Sequence, residues 1–90
     1  MLSRSARRGL SRLMLRWPAR RAVLANRAET DEEFASLCEI YAEAHDALET
    51  WRQSEHPLAD ARVSEYRELV AEIEGEILDK IASHSENPRP

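Results

Sequence analysis

The stretch that decides the fold is TDEEFASLCEIYAEAHDALETWRQ, residues 30–53. Its apolar side chains recur three and four residues apart, a spacing that places them on one face of an α-helix. This first apolar row consists of Phe34, Leu37, Tyr41, Ala44, Leu48 and Trp51. Thr30 and Glu33 form a pattern typical of a helix start, because the hydroxyl caps a free amide while the glutamate reaches back to the amide of the capping residue. The stretch therefore predicts a helix over residues 30–53.

A turn and a second apolar row follow this stretch. Pro57 disfavours helix at His56 but fits the first turn of a new helix, so residues 54–57 are predicted to form a turn. The second apolar row consists of Leu58, Val63, Tyr66, Val70, Ile73, Ile77 and Ile81. It predicts a helix over residues 58–82, antiparallel to the first because the turn is short and the lengths are similar. Gly75 in this helix is either a point of close approach or a tolerated residue that costs about 1 kcal/mol relative to alanine.

The two rows are expected to carry the packing of the protein, as a core or as an interface. The predicted residues are Phe34, Leu37, Tyr41, Leu48, Trp51, Tyr66, Val70, Ile73, Ile77 and Ile81. A two-helix hairpin covers only one side of each row, so Tyr41, Leu48, Leu69 and Leu78 are expected to stay partly exposed in a monomer. Such a surface usually marks an interface, and pairing two hairpins in a four-helix bundle is the simplest way to cover it. We therefore predict a homodimer or a protein partner.

The charges of the chain are divided between two parts. Residues 1–28 carry eight arginines and no acid, whereas residues 29–90 carry all seventeen acids and five basic side chains. The parts stand near +8 and −12 within a net charge of −4. We predict an all-α fold with a partly helical or disordered, arginine-rich arm over residues 1–28, a coiled-coil-like helical hairpin over residues 29–83 and a disordered tail over residues 84–90.

The arginines of the arm are predicted to bind anions. They are Arg4, Arg7, Arg8, Arg12, Arg16, Arg20 and Arg21. A helix that ends before Pro18 places arginines on one side and apolar residues on another, which suits an anionic membrane with Trp17 as the anchor. The same arginines suit nucleic-acid phosphates, although the chain has no recognisable DNA- or RNA-binding motif.

Two further interpretations of the arm stay open. An acid-free segment rich in arginine is typical of a removable targeting sequence, or it is an extension upstream of a true start at Met14. Alternatively, the arm docks on the acidic helices of its own chain.

Nothing in the sequence predicts catalysis or a bound cofactor. Cys38 has no activating base nearby, since His45 lies seven residues, or roughly 10 Å, along the helix. Cys38, Tyr41 and His45 supply too few soft ligands for a closed metal site. The chain has no glycine-rich phosphate loop and no serine-based nucleophile motif. We therefore predict no catalytic residue, metal, cofactor or small-molecule substrate.

The two predicted helices resemble a known family. The resemblance is carried by Phe34, Leu37 and Tyr41 of the first helix and by Arg67, Leu69, Glu72, Ile73, Glu76 and Ile77 of the second. Over residues 31–81 the chain resembles the YdcH-like small helical-hairpin proteins of bacteria, on the layout of the hairpin. The resemblance implies an antiparallel hairpin and no functional residue, because the biochemical role of that family is undefined.

The function expected from the sequence is that of a non-catalytic interaction or adaptor protein, which self-associates or docks on a partner through its apolar face. A membrane-peripheral or organelle-targeted protein is the alternative, and a nucleic-acid-binding protein is the third. Cys38 is the only cysteine and excludes an intramolecular disulfide, which favours a reducing compartment. We expect the cytoplasm, at a membrane surface if the arm binds lipid, or the mitochondrial matrix if the chain is eukaryotic.

Overall fold

In the computed structural model, which describes residues 1–85 and the side chains of residues 1–82, the chain is all-helical. Its elements are α1 (Arg4–Arg16), a 3₁₀ turn (Pro18–Arg20), α2 (Arg21–Thr30), α3 (Glu32–Arg52) and α4 (Ala59–Ser85). The predicted all-α fold class is confirmed. Of the predicted tail, residues 84 and 85 belong to α4, and residues 86–90 lie outside the described residues.

Helix α1 begins at a side-chain cap and ends just before a proline. The Ser3 hydroxyl accepts a hydrogen bond from the backbone N–H of Ala6 at 3.0 Å and so caps α1. The helix ends at Arg16, because Pro18 has no N–H to donate and disfavours helix at the residue before it.

The start of α3 lies later than the sequence predicted. Asp31, not Thr30, is the cap, and its carboxylate accepts hydrogen bonds from the backbone N–H groups of Glu33 at 2.9 Å and Phe34 at 3.3 Å. Thr30 is the last residue of α2, and its hydroxyl donates to the carbonyl of Asn26 at 2.9 Å. The predicted cap was wrong because Asp and Thr are both good capping residues, and the presence of α2 leaves Thr30 in helical geometry.

The turn predicted over residues 54–57 separates α3 from α4. The Ser54 hydroxyl accepts from the backbone N–H of His56, and Nδ1 of His56 accepts from the backbone N–H of Leu58, each at 3.0 Å. Their contacts show that α3 and α4 run antiparallel: residues later in α3 contact residues earlier in α4. Glu33 pairs with Lys80, and Tyr41 bonds to Glu74.

Residues 1–28 are not a separate arm in this structure, so the division into arm and hairpin is not confirmed. Their buried side chains belong to the same core as those of α3 and α4: Ala6, Leu10, Leu13, Leu24 and Ala28. Because α1 and α2 cover the open side of α3, Tyr41 and Leu48 are buried, and the expectation that they stay exposed in a monomer is wrong. Leu69 remains exposed and Leu78 half-buried.

Helix α2 is hydrogen-bonded through Arg27 to the start of α3 and to the C-terminal part of α4. Arg27 donates to Asp31 at 2.9 Å, and to the carbonyl of Lys80 at 2.8 Å. The hydrogen bond from Arg27 lowers the pKa of Asp31 below its ordinary value.

The assembled helices measure 55 × 26 × 21 Å. Within residues 1–85, none of them combines the length and the apolar character needed to cross a membrane.

Candidate interaction surfaces

Most residues predicted for a core or interface lie in the core of a single chain. Seven are buried: Phe34, Tyr41, Leu48, Val70, Ile73, Ile77 and Ile81. Leu37 and Tyr66 are half-buried and pack against that core. Trp51 is half-buried at the end of α3, with its ring edge-to-face against His56 at 5.9 Å. These rows therefore hold the helices of one chain together.

The contact between α1 and α3 is unusually close at Gly9. A Cβ at this position would lie 1.9 Å from the carbonyl oxygen of Cys38 and 2.7 Å from its carbonyl carbon. No side chain fits there, so the backbones of the two helices approach each other directly. In addition, Nη1 of Arg8 donates to both carboxylate oxygens of Asp46, at 3.1 and 2.9 Å. The backbone contact at Gly9 therefore joins α1 closely to α3, and the exposed ion pair adds little to it.

A polar cluster joins α1, α3 and α4. The Tyr41 hydroxyl donates to Oε2 of Glu74 at 2.7 Å, and Nε of Arg16 donates to the same oxygen at 3.1 Å. Burial and the hydrogen bond to Glu74 raise the pKa of Tyr41, so its hydroxyl stays protonated. The Glu74 carboxylate thus accepts hydrogen bonds from α1 and from α3. The cluster links these helices to α4, and its carboxylate is occupied by these two donors.

His45 and Cys38 of α3 also lie beneath α1. Burial, followed by repulsion from Arg12, lowers the pKa of His45, whose ring stacks edge-to-face on Tyr41 at 4.7 Å. Burial raises the pKa of Cys38 to about 11, so the thiol stays protonated and weakly nucleophilic. No group of three or more His, Cys, Asp or Glu side chains suited to a metal ion occurs in the described part of the chain.

The first candidate surface is the α3–α4 groove, which α1 leaves uncovered. It is lined by Ile40, Glu43, Ala44 and Ala47 of α3 and by Tyr66 and Leu69 of α4. Ile40 is 46% exposed and Leu69 39% exposed. On α3, Ile40 lies two residues after Cys38, which is about 200° of helix rotation. The groove therefore opens away from α1.

The second candidate surface is the arginine face of α1, formed by Arg4, Arg7, Arg8, Ser11, Arg12 and Leu15. Of the arginines predicted to bind anions, only Arg8 and Arg16 form ion pairs among residues 1–82, with Asp46 and Glu74. The others are exposed to solvent: Arg4, Arg7, Arg12, Arg20 and Arg21. The structure thus brings Arg4, Arg7, Arg8 and Arg12 together on one helix face.

Sequence reasoning missed three residues that shape these surfaces, Gly9, Ile40 and Glu74. Ile40 falls outside the row that faces α4, although its spacing from Leu37 and Ala44 is again three and four residues. That spacing is the signal that could have revealed a second, flanking row. Gly9 and Glu74 have no comparable local signal, because their partners lie on other helices.

Comparison of the chain with protein-family models, with curated proteins and with solved structures finds no match. The resemblance to the YdcH-like hairpin proteins stays a prediction.

Proposed function

We propose that this protein is a non-catalytic interaction protein that docks a helix of another protein in the α3–α4 groove. The observation that carries the proposal is the exposure of Ile40 and Leu69, which lie on neighbouring helices beside the buried apolar rows and line the same groove. A groove between two helices is a common receptor for the apolar side of a third helix. The burial and protonation of Cys38 and Tyr41 support the non-catalytic part of the proposal.

The charges around the groove favour a basic occupant. Glu43 lines the groove on α3 and is exposed, with no ion pair among the described residues. On α4, Glu65 and Glu72 lie four and three residues from Leu69, and on a helix such residues are neighbours. Glu65 already pairs with Arg62 at 2.7 Å, whereas Glu72 has no ion pair among the described residues. The apolar floor is therefore flanked by carboxylates on both helices. Basic side chains beside the apolar row of a partner helix would complement them.

The same charges disfavour a second copy of this chain as the occupant. A two-fold dimer through the groove places the same patch of both copies face to face, so the carboxylates around Glu43 and Leu69 would meet each other. Like charges brought together in this way weaken association. The homodimer expected from the sequence thus becomes the competing outcome of the test.

The proposal is tested with a labelled synthetic helix that carries leucines three and four residues apart and lysines elsewhere. A peptide of the same composition in scrambled order is the probe control. We expect fluorescence anisotropy to show binding of the ordered peptide and at least about tenfold weaker binding to Ile40→Asp, because one buried apolar contact and its desolvation are lost. Leu58→Asp is the matched control, since Leu58 is 48% exposed and lies outside the groove.

Three results would contradict this proposal. Equal binding of the scrambled peptide would show attraction by charge alone. Equal weakening by Leu58→Asp would place the contact elsewhere. A dimer in light scattering that Ile40→Asp converts to a monomer would assign the groove to a second copy.

A further inference from the structure

We infer that the arginine face of α1 is a docking site for an anionic lipid surface, separate from the α3–α4 groove. The first observation is that three arginines of this face lack an acidic partner. Arg4, Arg7 and Arg12 are exposed and have no ion pair within the described part of the chain. Arginines that served only to hold α1 on the acidic helices would pair with their carboxylates, as Arg8 and Arg16 do. Arg12 lies near His45 and Glu74 but forms no ion pair among the described residues.

The second observation is an exposed leucine among these arginines. Leu15 is 76% exposed and lines the same surface as Arg4, Arg8 and Arg12. An aliphatic side chain at the C-terminal end of a basic helix face gains by entering the headgroup region of a bilayer. Single-stranded nucleic acids are instead bound by basic surfaces that carry stacking aromatic rings, and this face has none. The exposed leucine and the lack of aromatic rings on this face therefore favour lipid over single-stranded nucleic acid.

The docking of α1 on α3 decides the mode of lipid binding. An amphipathic helix that inserts into a bilayer buries its whole apolar side there. In α1 that side is occupied, since Leu10 and Leu13 are buried and Gly9 touches the backbone of Cys38. Trp17, which the sequence predicted as the membrane anchor, packs against the core. The folded protein therefore adsorbs through its arginines and Leu15 alone.

Binding of this kind depends on orientation and on salt. The chain has a net charge of −4, so a protein with evenly spread charge would be repelled by an anionic surface. Adsorption requires the arginine face to turn toward the lipid. Each arginine near the surface contributes about fivefold to the partition coefficient, and the attraction extends only over a Debye length of about 8 Å at physiological ionic strength. High salt should therefore release the protein.

The experiment is co-sedimentation of the full chain with vesicles of phosphatidylcholine containing phosphatidylserine, and with phosphatidylcholine alone. We expect binding to the anionic vesicles only, reversed by high salt. Arg4→Gln, Arg7→Gln and Arg12→Gln combined should lower the partition coefficient roughly 100-fold, since each arginine contributes about fivefold. Leu15→Ser should lower it severalfold. The charge-matched control combines Arg52→Gln, Arg62→Gln and Arg67→Gln on α3 and α4, and it should weaken binding much less.

Each contrary result overturns the inference in a specific way. Absence of binding to anionic vesicles excludes the site. An equal loss in the control triple variant shows that net charge, not this face, governs adsorption. Binding of a DNA duplex or a single-stranded RNA at physiological salt, with none to vesicles, assigns the face to nucleic acid. Salt-resistant binding that exposes the Cys38 thiol to labelling shows that α1 leaves α3 and inserts.

Discussion

Gly9 and Gly75 both lie inside α-helices, yet their surroundings are opposite. A Cβ at Gly9 would lie 1.9 Å from the carbonyl oxygen of Cys38, whereas at Gly75 a Cβ would meet no described atom within 4 Å apart from the adjoining residues and backbone of α4 itself. Glycine in a helix interior costs about 1 kcal/mol relative to alanine at either site. At Gly9 the absence of a side chain lets two helices touch. At Gly75 nothing in the described structure requires a glycine.

The difference between the glycines reflects two kinds of helix contact. The α3–α4 contact is made by large side chains such as Phe34, Tyr41 and Ile77, which adjust to small changes by shifting rotamers. The α1–α3 contact is made at Gly9 by backbone, which has no such freedom. One added methyl group should therefore separate α1 from α3 and leave α3 on α4.

Gly9→Ala is expected to have the largest effect of the changes that test this comparison. Overpacking in a rigid contact costs roughly 1–3 kcal/mol, and here the added atom meets a carbonyl oxygen that cannot rotate away. We expect a fall of that size in the free energy of unfolding, measured by denaturant titration with circular dichroism. An unchanged free energy of unfolding would mean that α1 is not held on α3 by a backbone contact.

The Cys38 thiol gives a local measure of the same variant. Cys38 is buried under α1, and burial raises its pKa to about 11, so its reaction with a thiol reagent should be slow in the native protein. In Gly9→Ala the labelling rate should rise while the helix content changes little. Faster labelling together with complete loss of helix would instead indicate global unfolding.

Gly75→Ala is expected to have a smaller effect of the opposite sign. The added methyl group enters open space, and alanine lowers the conformational entropy of the unfolded chain. The free energy of unfolding should rise by up to about 1 kcal/mol, with the labelling rate of Cys38 unchanged. A loss of stability here would show that another molecule packs over Gly75 in solution.

The contrast between the two glycines also shows which parts of the fold could be predicted from the sequence. The apolar rows and Pro57 are local signals, and they predicted the two long helices and the turn to within two residues of their observed boundaries, the end of α4 excepted. Sequence reasoning weighed Gly75 as a point of close approach and passed over Gly9. The many arginines around Gly9 suggested a free arm, and its partner Cys38 lies on a different helix. Contacts between helices distant in sequence leave no such local signal.

The smallest expected effect concerns His45, which lies beneath α1. Burial lowers its pKa below the ordinary 6.5; Arg12 and Arg16 of α1 lower it further, while Glu74 and Asp46 oppose the shift. Because the unfolded chain binds a proton more readily, stability should fall as the pH drops below 6.5 toward the lower folded pKa.

His45→Gln should reduce the fall in stability, and an NMR titration of the His45 ring gives the pKa directly. In Gly9→Ala, where α1 no longer covers His45, that pKa should return toward 6.5, whereas in Gly75→Ala it should stay low. A pKa that is equally low in both glycine variants would show that His45 is buried by α3 and α4 alone. The α1–α3 contact would then contribute nothing to its shift.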